Sequence, residues 1–372
     1  MDFTAKFNRR LEVIEISGEA SDRGHQIGTE YKDYIAGFVK RLYEKFNILG
    51  ITSKEKVLQH VGKYIPYIKD YSPEIAAEIG GIAEGAERLY EEIVMLNLLE
   101  EVDVSIGVKG SALSTVPSRC TAFAATGKAT VNGETYLGQS WDTDLESLEH
   151  DEAQLFNVKR NSEPNFLTYT YPGMLATAGL NSEGIGISWN TVPPLEFKVG
   201  VPTYLIVAEI LRQKTIGDAI AAILRANIAS CFNFVLADET EIYDVEATPS
   251  DVDIAYYNAY MGHANHFLSA KFKDKQKMSR EGSSAACSII RHNRMNRILG
   301  DHSGSIDRNV CMDALRDHVN YPRSICRHPD PAESDPRENV ITEASWVMVP
   351  TKREWWISYG PPCQNKFRKY VV

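Results

Sequence analysis

The sequence is poor in several features, and each shortage removes a class of protein. Its six cysteines show no close pairing pattern across 372 residues, so no disulfide framework is expected. Positive charge is scarce: 40 Lys and Arg stand against 50 Asp and Glu, a formal net charge of -10. Without basic clusters, binding to nucleic acid or to an anionic membrane surface is not expected. No apolar run reaches the roughly 18 residues that mark a membrane span. Met1 to Leu11 lacks a secretory apolar core, and Lys369-Tyr370-Val371-Val372 is not a peroxisomal tripeptide. A cytoplasmic protein is the expectation. No four His or Cys residues stand at zinc spacing, so no metal is expected, and Cys326, His328 and Cys363 read as packing residues. His263 and His266, which flank Asn265, are equally weak as metal ligands. There is no phosphate-cradling glycine loop, no internal repeat and no clear domain break.

What remains is ordinary globular chemistry, 43% hydrophobic and 24% charged. Alternation over 11–18 predicts a strand. Ser21 then caps one long helix with Ile27, Tyr31, Ile35, Phe38, Leu42 and Phe46 on a single face. Ser53 opens a second helix, with Val57, Val61, Tyr64, Ile65 and Ile68 inward. Ser72-Pro73-Glu74 opens a third, running through Ile75, Ile79, Ile82 and Leu89, and a further segment covers Glu91–Leu99. Residues 105–118, small and nearly uncharged, read as a linker. Beyond it the sequence turns strand-rich, with helices at about 204–211, 216–226, 284–299 and 311–318. Helices packed on stacked sheets satisfy this order.

The most informative stretch is Ser118-Arg119-Cys120-Thr121-Ala122-Phe123 with Thr135 to Asp142. Two strands, about 120–126 and 135–141, flank a loop containing Asn132-Gly133, a dipeptide that favours tight turns. Symmetric pairing places Cys120 opposite Trp141 and beside Asp142. A thiol beside a carboxylate is a start for nucleophilic catalysis, but the free thiol pKa of roughly 8.5 calls for a base, and no histidine lies nearby. An α-amino group, pKa about 7.7–8.0, would serve if the chain were cut between Arg119 and Cys120. The plain alternative is a structural core cysteine. Asn233 is a polar amide in a strand of Phe, Val and Leu, and Asn190 ends another strand. Side-chain amides of this kind can donate to a tetrahedral oxyanion, or can simply bond to backbone.

The runs Arg-Cys-Thr-Ala-Phe and Leu-Gly-Gln-Ser-Trp-Asp resemble the penicillin acyltransferase (isopenicillin-N acyltransferase-like) family of N-terminal-nucleophile hydrolases. The segment Glu78 to Ala86, the pair Gly24 and Gly28, and Asn233-Phe234-Val235-Leu236-Ala237-Asp238 carry the likeness further. The resemblance implies an α+β fold, the four-layer αββα sandwich. It implies that residues 1–119 form a helical, propeptide-derived chain that stays bound to a catalytic chain, 120–372, after self-cleavage between Arg119 and Cys120. Cys120 is then nucleophile, with its own amine as base. Asn233 falls at the oxyanion-hole asparagine, and Asn190 where bile-salt hydrolases place a second. Asp142 orients the α-amino group. Arg291, in a Ser-x-x-Arg-x-x-Arg helix, neutralises Asp142, binds a substrate carboxylate or forms a surface salt bridge. The chain departs from the best-known member at Arg119 (glycine there) and Ala122 (threonine there). Gln139 replaces the arginine of bile-salt hydrolases, as in the acyltransferase-like branch.

The implied activity is hydrolysis or transfer of the acyl group of a small N-acyl amide through a thioester on Cys120, without a resident cofactor. A coenzyme A thioester is an alternative acyl donor. A rival is an uncut cysteine hydrolase using His150 or His263. A third reading is an uncleaved, non-enzymatic scaffold.

Overall fold

The computed structural model describes residues 4–7, 9–48, 50–51, 53–101, 120–150, 152–161, 164–276, 284–335 and 339–372. The linker expected at 105–118, and Arg119, lie outside them.

A short helix α1 (Thr4–Phe7) precedes β1 (Val13–Gly18), α2 (Ala20–Glu30) and α3 (Lys32–Ile48). The single helix expected here is two. Glu19, not Ser21, is its N-cap, and the chain kinks at Tyr31. The apolar stripe runs unbroken through the kink, so periodicity alone does not report it. Ser53 does cap α4 (Lys54–Gly62), accepting from the Lys56 N–H. The stripe that follows is split again, into α4 and α5 (Ile65–Tyr71). Pro66 stands in the first turn of α5, where it has no N–H to continue the ladder from α4. Ser72 caps α6 (Pro73–Gly85), which stops short of Leu89, and α7 (Tyr90–Leu96) follows.

Helices α2 and α6 pack backbone on backbone. A Cβ on Gly24 would sit 2.0 Å from the Glu78 carbonyl oxygen, and one on Gly81 2.0 Å from that of Ser21. Gly28 and Gly85 repeat the contact one turn on, at 2.4 Å. Four glycines at helical spacing are thus a close-approach face.

The strand-rich part begins with β2 (Thr121–Gly127) and β3 (Gly133–Asp144), joined through Asn132 and Gly133, both at positive φ. Next come α8 (Leu145–His150), β4 (Gln154–Arg160), β5 (Phe166–Thr170), β6 (Ala178–Asn181) and β7 (Gly186–Thr191). Helices α9 (Thr203–Ile210) and α10 (Ile216–Leu224) lead to β8 (Phe232–Ala237) and β9 (Ile242–Ala247). Strands β10 (Val252–Tyr257) and β11 (Tyr260–His263) were not foreseen. The first is largely exposed and lacks alternation; the second has only four residues. The chain closes with α11 (Ser284–Asp301), α12 (Arg308–Leu315), β12 (Val340–Val349), β13 (Glu354–Tyr359) and β14 (Arg368–Val371).

One sheet has the order β1-β4-β5-β6-β7-β8-β9-β10, the other β11-β2-β3-β12-β13-β14. Among the described strand pairs, only β1–β4 is parallel. The sheets face each other through β2 and β3 against β7 and β8. Helices α2, α6 and α9 belong to the outer side of the first sheet, and α11 and α12 cover the second. This is the expected α+β arrangement of two packed sheets with helices outside. Alternation along β2 sorts its residues. Ala122 and Ala124 enter the core between the sheets, while Phe123 and Ala125 enter a second core with Met295, Leu299 and Leu315 under the outer helices. No helix among the described residues is long and apolar enough to cross a membrane.

Candidate active site

Cys120 leads into β2 and shares the face of Ala122, so its side chain belongs to the inter-sheet core. The register Thr121 with Ser140 continues to Cys120 with Trp141, as the hairpin symmetry predicts. The thiol is buried, and burial is the main reason its pKa is pushed up to about 12. The negative charge of Asp142 raises it further, while a hydrogen bond with the Asp142 backbone and the charge of Arg291 work the other way.

Arg291, on α11, is almost wholly buried, which removes the surface salt bridge from its possible roles. Its Nη1 donates to the Cys120 carbonyl oxygen at 2.5 Å and to Thr121 Oγ1 at 2.7 Å. Its Nη2 donates to Asn265 Oδ1 at 2.8 Å. Burial and the nearby Arg327 lower its pKa to about 10, so it stays charged at neutral pH. Thr121 points away from Ala122, as strand geometry requires, and meets α11 rather than the inter-sheet space. Asp142 pairs with Thr342 of β12, next to a register shift between Thr342 and Ala344. Thr342 Oγ1 donates to its Oδ1 at 2.7 Å and accepts from the Arg327 N–H at 2.9 Å.

Across the inter-sheet space, β7 and β8 pair so that Asn190 lies directly opposite Asn233. Both are fully buried. Asn190 Nδ2 donates to Asn233 Oδ1 at 2.9 Å, and Asn233 Nδ2 donates to Asp244 Oδ1. Each amide nitrogen has a second hydrogen to offer. Behind them, His263 on β11 sits between two carboxylates. Its Nε2 is 2.8 Å from Glu246 Oε1 and its Nδ1 2.6 Å from the Ala264 carbonyl oxygen. Glu246 also accepts from the Leu268 and Ser269 N–H groups. Burial pushes Asp244 up to about 7, against the opposing pull of His263.

Aromatic rings line the space beside Cys120. Trp141 meets Trp189 edge-on at 5.4 Å and donates to the Tyr171 hydroxyl at 3.1 Å. Trp189 in turn meets Tyr204 at 5.4 Å. Gln139 explains why an amide suits its position. Its Nε2 donates to the Trp189 carbonyl oxygen at 2.5 Å, and its Oε1 accepts from the Trp189 N–H at 3.2 Å. It therefore fills a backbone valence in β7 and pins one sheet to the other.

The structure thus brings Cys120, Asp142 and Arg291 together at one end of the β2–β3 hairpin. It sets Asn190 and Asn233 on the facing sheet. His150 lies apart, exposed at the end of α8. His263 has both ring nitrogens occupied. Sequence reasoning missed Thr342 and Asn265, which hold Asp142 and Arg291. Each comes from a segment remote in the chain, and no local pattern marks a supporting hydrogen-bond partner.

The family model for acyl-coenzyme A:6-aminopenicillanic acid acyl-transferase matches residues 129–363. The 40 kDa form of acyl-coenzyme A:6-aminopenicillanic-acid-acyltransferase from Emericella nidulans is 26% identical over 323 residues, 84% of this chain and 84% of that protein. The beta-alanyl-dopamine/carcinine hydrolase of Drosophila melanogaster is 26% identical over 263 residues, covering 64% of this chain and 65% of that protein. Among solved structures, a mutant conjugated bile acid hydrolase from Clostridium perfringens has a TM-score of 0.44 at 11% identity, covering 68% of this chain and 97% of that one. Penicillin V acylase from Agrobacterium tumefaciens has 0.43 at 13%, covering 64% and 83%. The matched span exceeds half of the chain, and the protein belongs to the acyl-coenzyme A:6-aminopenicillanic acid acyl-transferase family, enzymes that act on amide bonds.

Proposed function

We propose that the chain cuts itself between Arg119 and Cys120, and that the freed Cys120 then hydrolyses or transfers the acyl group of a small N-acyl amide. The observation that carries this reading is the placement of Cys120. It starts a strand on the inner face of one sheet, its carbonyl is gripped by Arg291, and two buried asparagines face it from the other sheet.

After the cut, the Cys120 amine takes the thiol proton. The sulfur attacks the substrate carbonyl carbon, and the carbonyl oxygen gains the electron pair. A second N–H of Asn233, joined by Asn190, donates to that oxygen. Asp244 accepts the other Asn233 hydrogen and so fixes the direction of the amide. The C–N bond breaks, the leaving amine takes the proton from the Cys120 ammonium, and a thioester remains. Water or an acceptor amine attacks the thioester, and the thiolate leaves and is reprotonated. Asp142, held by Thr342, orients the ammonium between steps. Arg291 acts as a positioning residue on the Cys120–Thr121 backbone.

The aromatic wall of Trp141, Trp189 and Tyr204 favours an apolar or aromatic portion in the substrate. The names of the two relatives favour amides of amino-acid-like compounds, with coenzyme A thioester as an alternative donor. Residues 1–119 stay associated after cleavage, since β1 is paired within the larger sheet. An uncut enzyme using His263 as base is disfavoured, because Glu246 and the Ala264 carbonyl occupy that ring.

Intact mass and N-terminal sequencing of active protein test the proposal. Two chains, the second beginning Cys-Thr-Ala-Phe, are expected, and the Cys120→Ala variant should stay uncut and inert. Turnover by material whose residues 119 and 120 are still joined would refute it.

A further inference from the structure

Four side chains behind the Cys120 site converge at the same end of the second sheet, next to the segment that holds Thr342. They are His318, just past α12; Cys326 and His328, in the loop before β12; and Cys363, in the turn after β13. Their ligand atoms all lie within 4.8 Å of one another. His328 Nε2 is 3.1 Å from His318 Nε2, 3.6 Å from Cys326 Sγ and 3.3 Å from Cys363 Sγ.

A single imidazole nitrogen has one lone pair or one hydrogen. It satisfies one of these three neighbours as a hydrogen-bond partner, so hydrogen bonding to His328 does not by itself account for all three contacts. A central cation gives all four the same reason to converge. With zinc bond lengths of about 2.05 Å to nitrogen and about 2.3 Å to sulfur, the edges of a tetrahedron are about 3.3 Å for N–N and about 3.6 Å for N–S. The three distances from His328 Nε2 fall within about 0.3 Å of those edges. Two thiolates and two neutral imidazoles also balance a dication.

We propose that His318, Cys326, His328 and Cys363 bind one zinc ion in a closed, four-ligand structural site. The chain spacing, His-x7-Cys-x-His-x34-Cys, matches none of the usual zinc patterns, and this proposal sets against the reading of packing residues the fold's gathering of them from three segments. A closed site leaves no position for substrate, so its role is mechanical. Arg327 stands between two of the ligands, and its N–H holds Thr342, which holds Asp142. The ion therefore fixes the loop that orients the carboxylate beside Cys120.

The test is metal analysis of full-length protein purified without chelator, followed by cobalt substitution. One zinc per chain is expected. Co²⁺ should give thiolate charge-transfer absorption in the near ultraviolet and strong visible bands of a tetrahedral ion. Both should vanish in Cys363→Ser, a substitution at an exposed position. Should that variant fail to fold, chelation of the intact protein supplies the second readout, a lowered melting temperature restored by Zn²⁺. Protein that is zinc-free after growth in zinc-supplemented medium and takes up no Co²⁺ overturns the proposal. So does a chain lighter by two hydrogen atoms that yields a linked Cys326–Cys363 peptide, since the pair is then a disulfide.

Discussion

The Cys120 thiol should be almost inert while the chain is uncut. Burial and the charge of Asp142 hold its pKa near 12. At pH 7.5 that leaves about 1 thiolate in 30,000, against about 1 in 10 for an ordinary thiol of pKa about 8.5, a roughly 3,000-fold deficit. Cutting the Arg119–Cys120 bond changes the balance. The amide nitrogen becomes an amine of pKa about 7.7–8.0, and its ammonium form favours a neighbouring thiolate. The same ammonium also gives Asp142 a positive partner beside the thiol. The assay is alkylation by iodoacetamide, with an unstructured single-cysteine peptide as reference. It is followed on the chymotryptic peptide that spans residues 119 and 120 in uncut protein, taken early in expression, and on the peptide that begins at Cys120 in cut protein. In uncut chains the rate should fall at least 1,000-fold below the reference, by the thiolate fraction just given, and climb tenfold per pH unit without levelling below about pH 10. In cut chains it should level off near neutral pH. Alkylation of uncut Cys120 within tenfold of the reference, with a plateau near pH 8–9, would refute the argument that this pocket suppresses the thiol.

Three further outcomes follow from the same geometry. Asn233→Ala should lower kcat by about 100- to 1,000-fold with a much smaller change in KM, because in the proposed mechanism its second N–H acts on the oxyanion rather than on bound substrate; steady-state kinetics on a turned-over amide decides. Gly24→Ala places a Cβ 2.0 Å from the Glu78 carbonyl and should destabilise the fold by about 1–3 kcal/mol or more, whereas Gly62→Ala, with open space around it, should be neutral or stabilising; urea midpoints compare them. Glu74 contributes to acid stability. Hydrogen bonds and charge from Arg160, Arg212 and Arg23 hold its pKa near 2 despite opposing burial. A depressed carboxyl stabilises the fold above its unfolded pKa of about 4.3 and loses that contribution as pH falls toward 2. The urea midpoint of the natural protein should therefore drop more steeply between those values than that of Glu74→Gln.

Much of this site is legible in the sequence where one hairpin carries it. Cys120, Trp141 and Asp142 are neighbours because Asn132-Gly133 sets the turn and the period of two does the rest. Serines at 53 and 72 mark helix starts because a hydroxyl accepts the orphan N–H of the first turn. The helix interruption at Tyr31 is silent, since the buried stripe crosses it, whereas the one at Lys63 is marked by Pro66. The facing of Asn190 and Asn233 is suggested only by their strand settings, and their pairing depends on register between strands 43 residues apart. The hold of Arg291 on the Cys120 carbonyl spans 171 residues and leaves no local trace. The same reason hides the gathering of His318, Cys326, His328 and Cys363.

The arrangement around the proposed cut has a physical logic. Breaking a backbone bond ordinarily frees both new ends. Here the described residues on either side, up to 101 and from 120, are held by contacts that do not run through that bond. On the downstream side, Arg291 grips the Cys120 carbonyl and the Thr121 hydroxyl, atoms the cut does not touch. The amine and thiol of Cys120 gain freedom only at their own bonds. On the upstream side, β1 pairs with β4, and α2 meets α6 through four glycines. Buried Glu78 joins Arg23 at 2.9 Å to Arg212 at 2.7 Å, and Glu101 accepts from the Thr203 N–H at 2.8 Å. These last two contacts cross from residues 1–119 to 120–372. Separating the two segments would part Glu78 and Glu74 from Arg212 and Arg160, so these ion pairs help to keep the segments together. A nucleophile made by cutting its own chain needs this double anchorage. Without it, the new end would fray and lose the geometry that the two sheets impose.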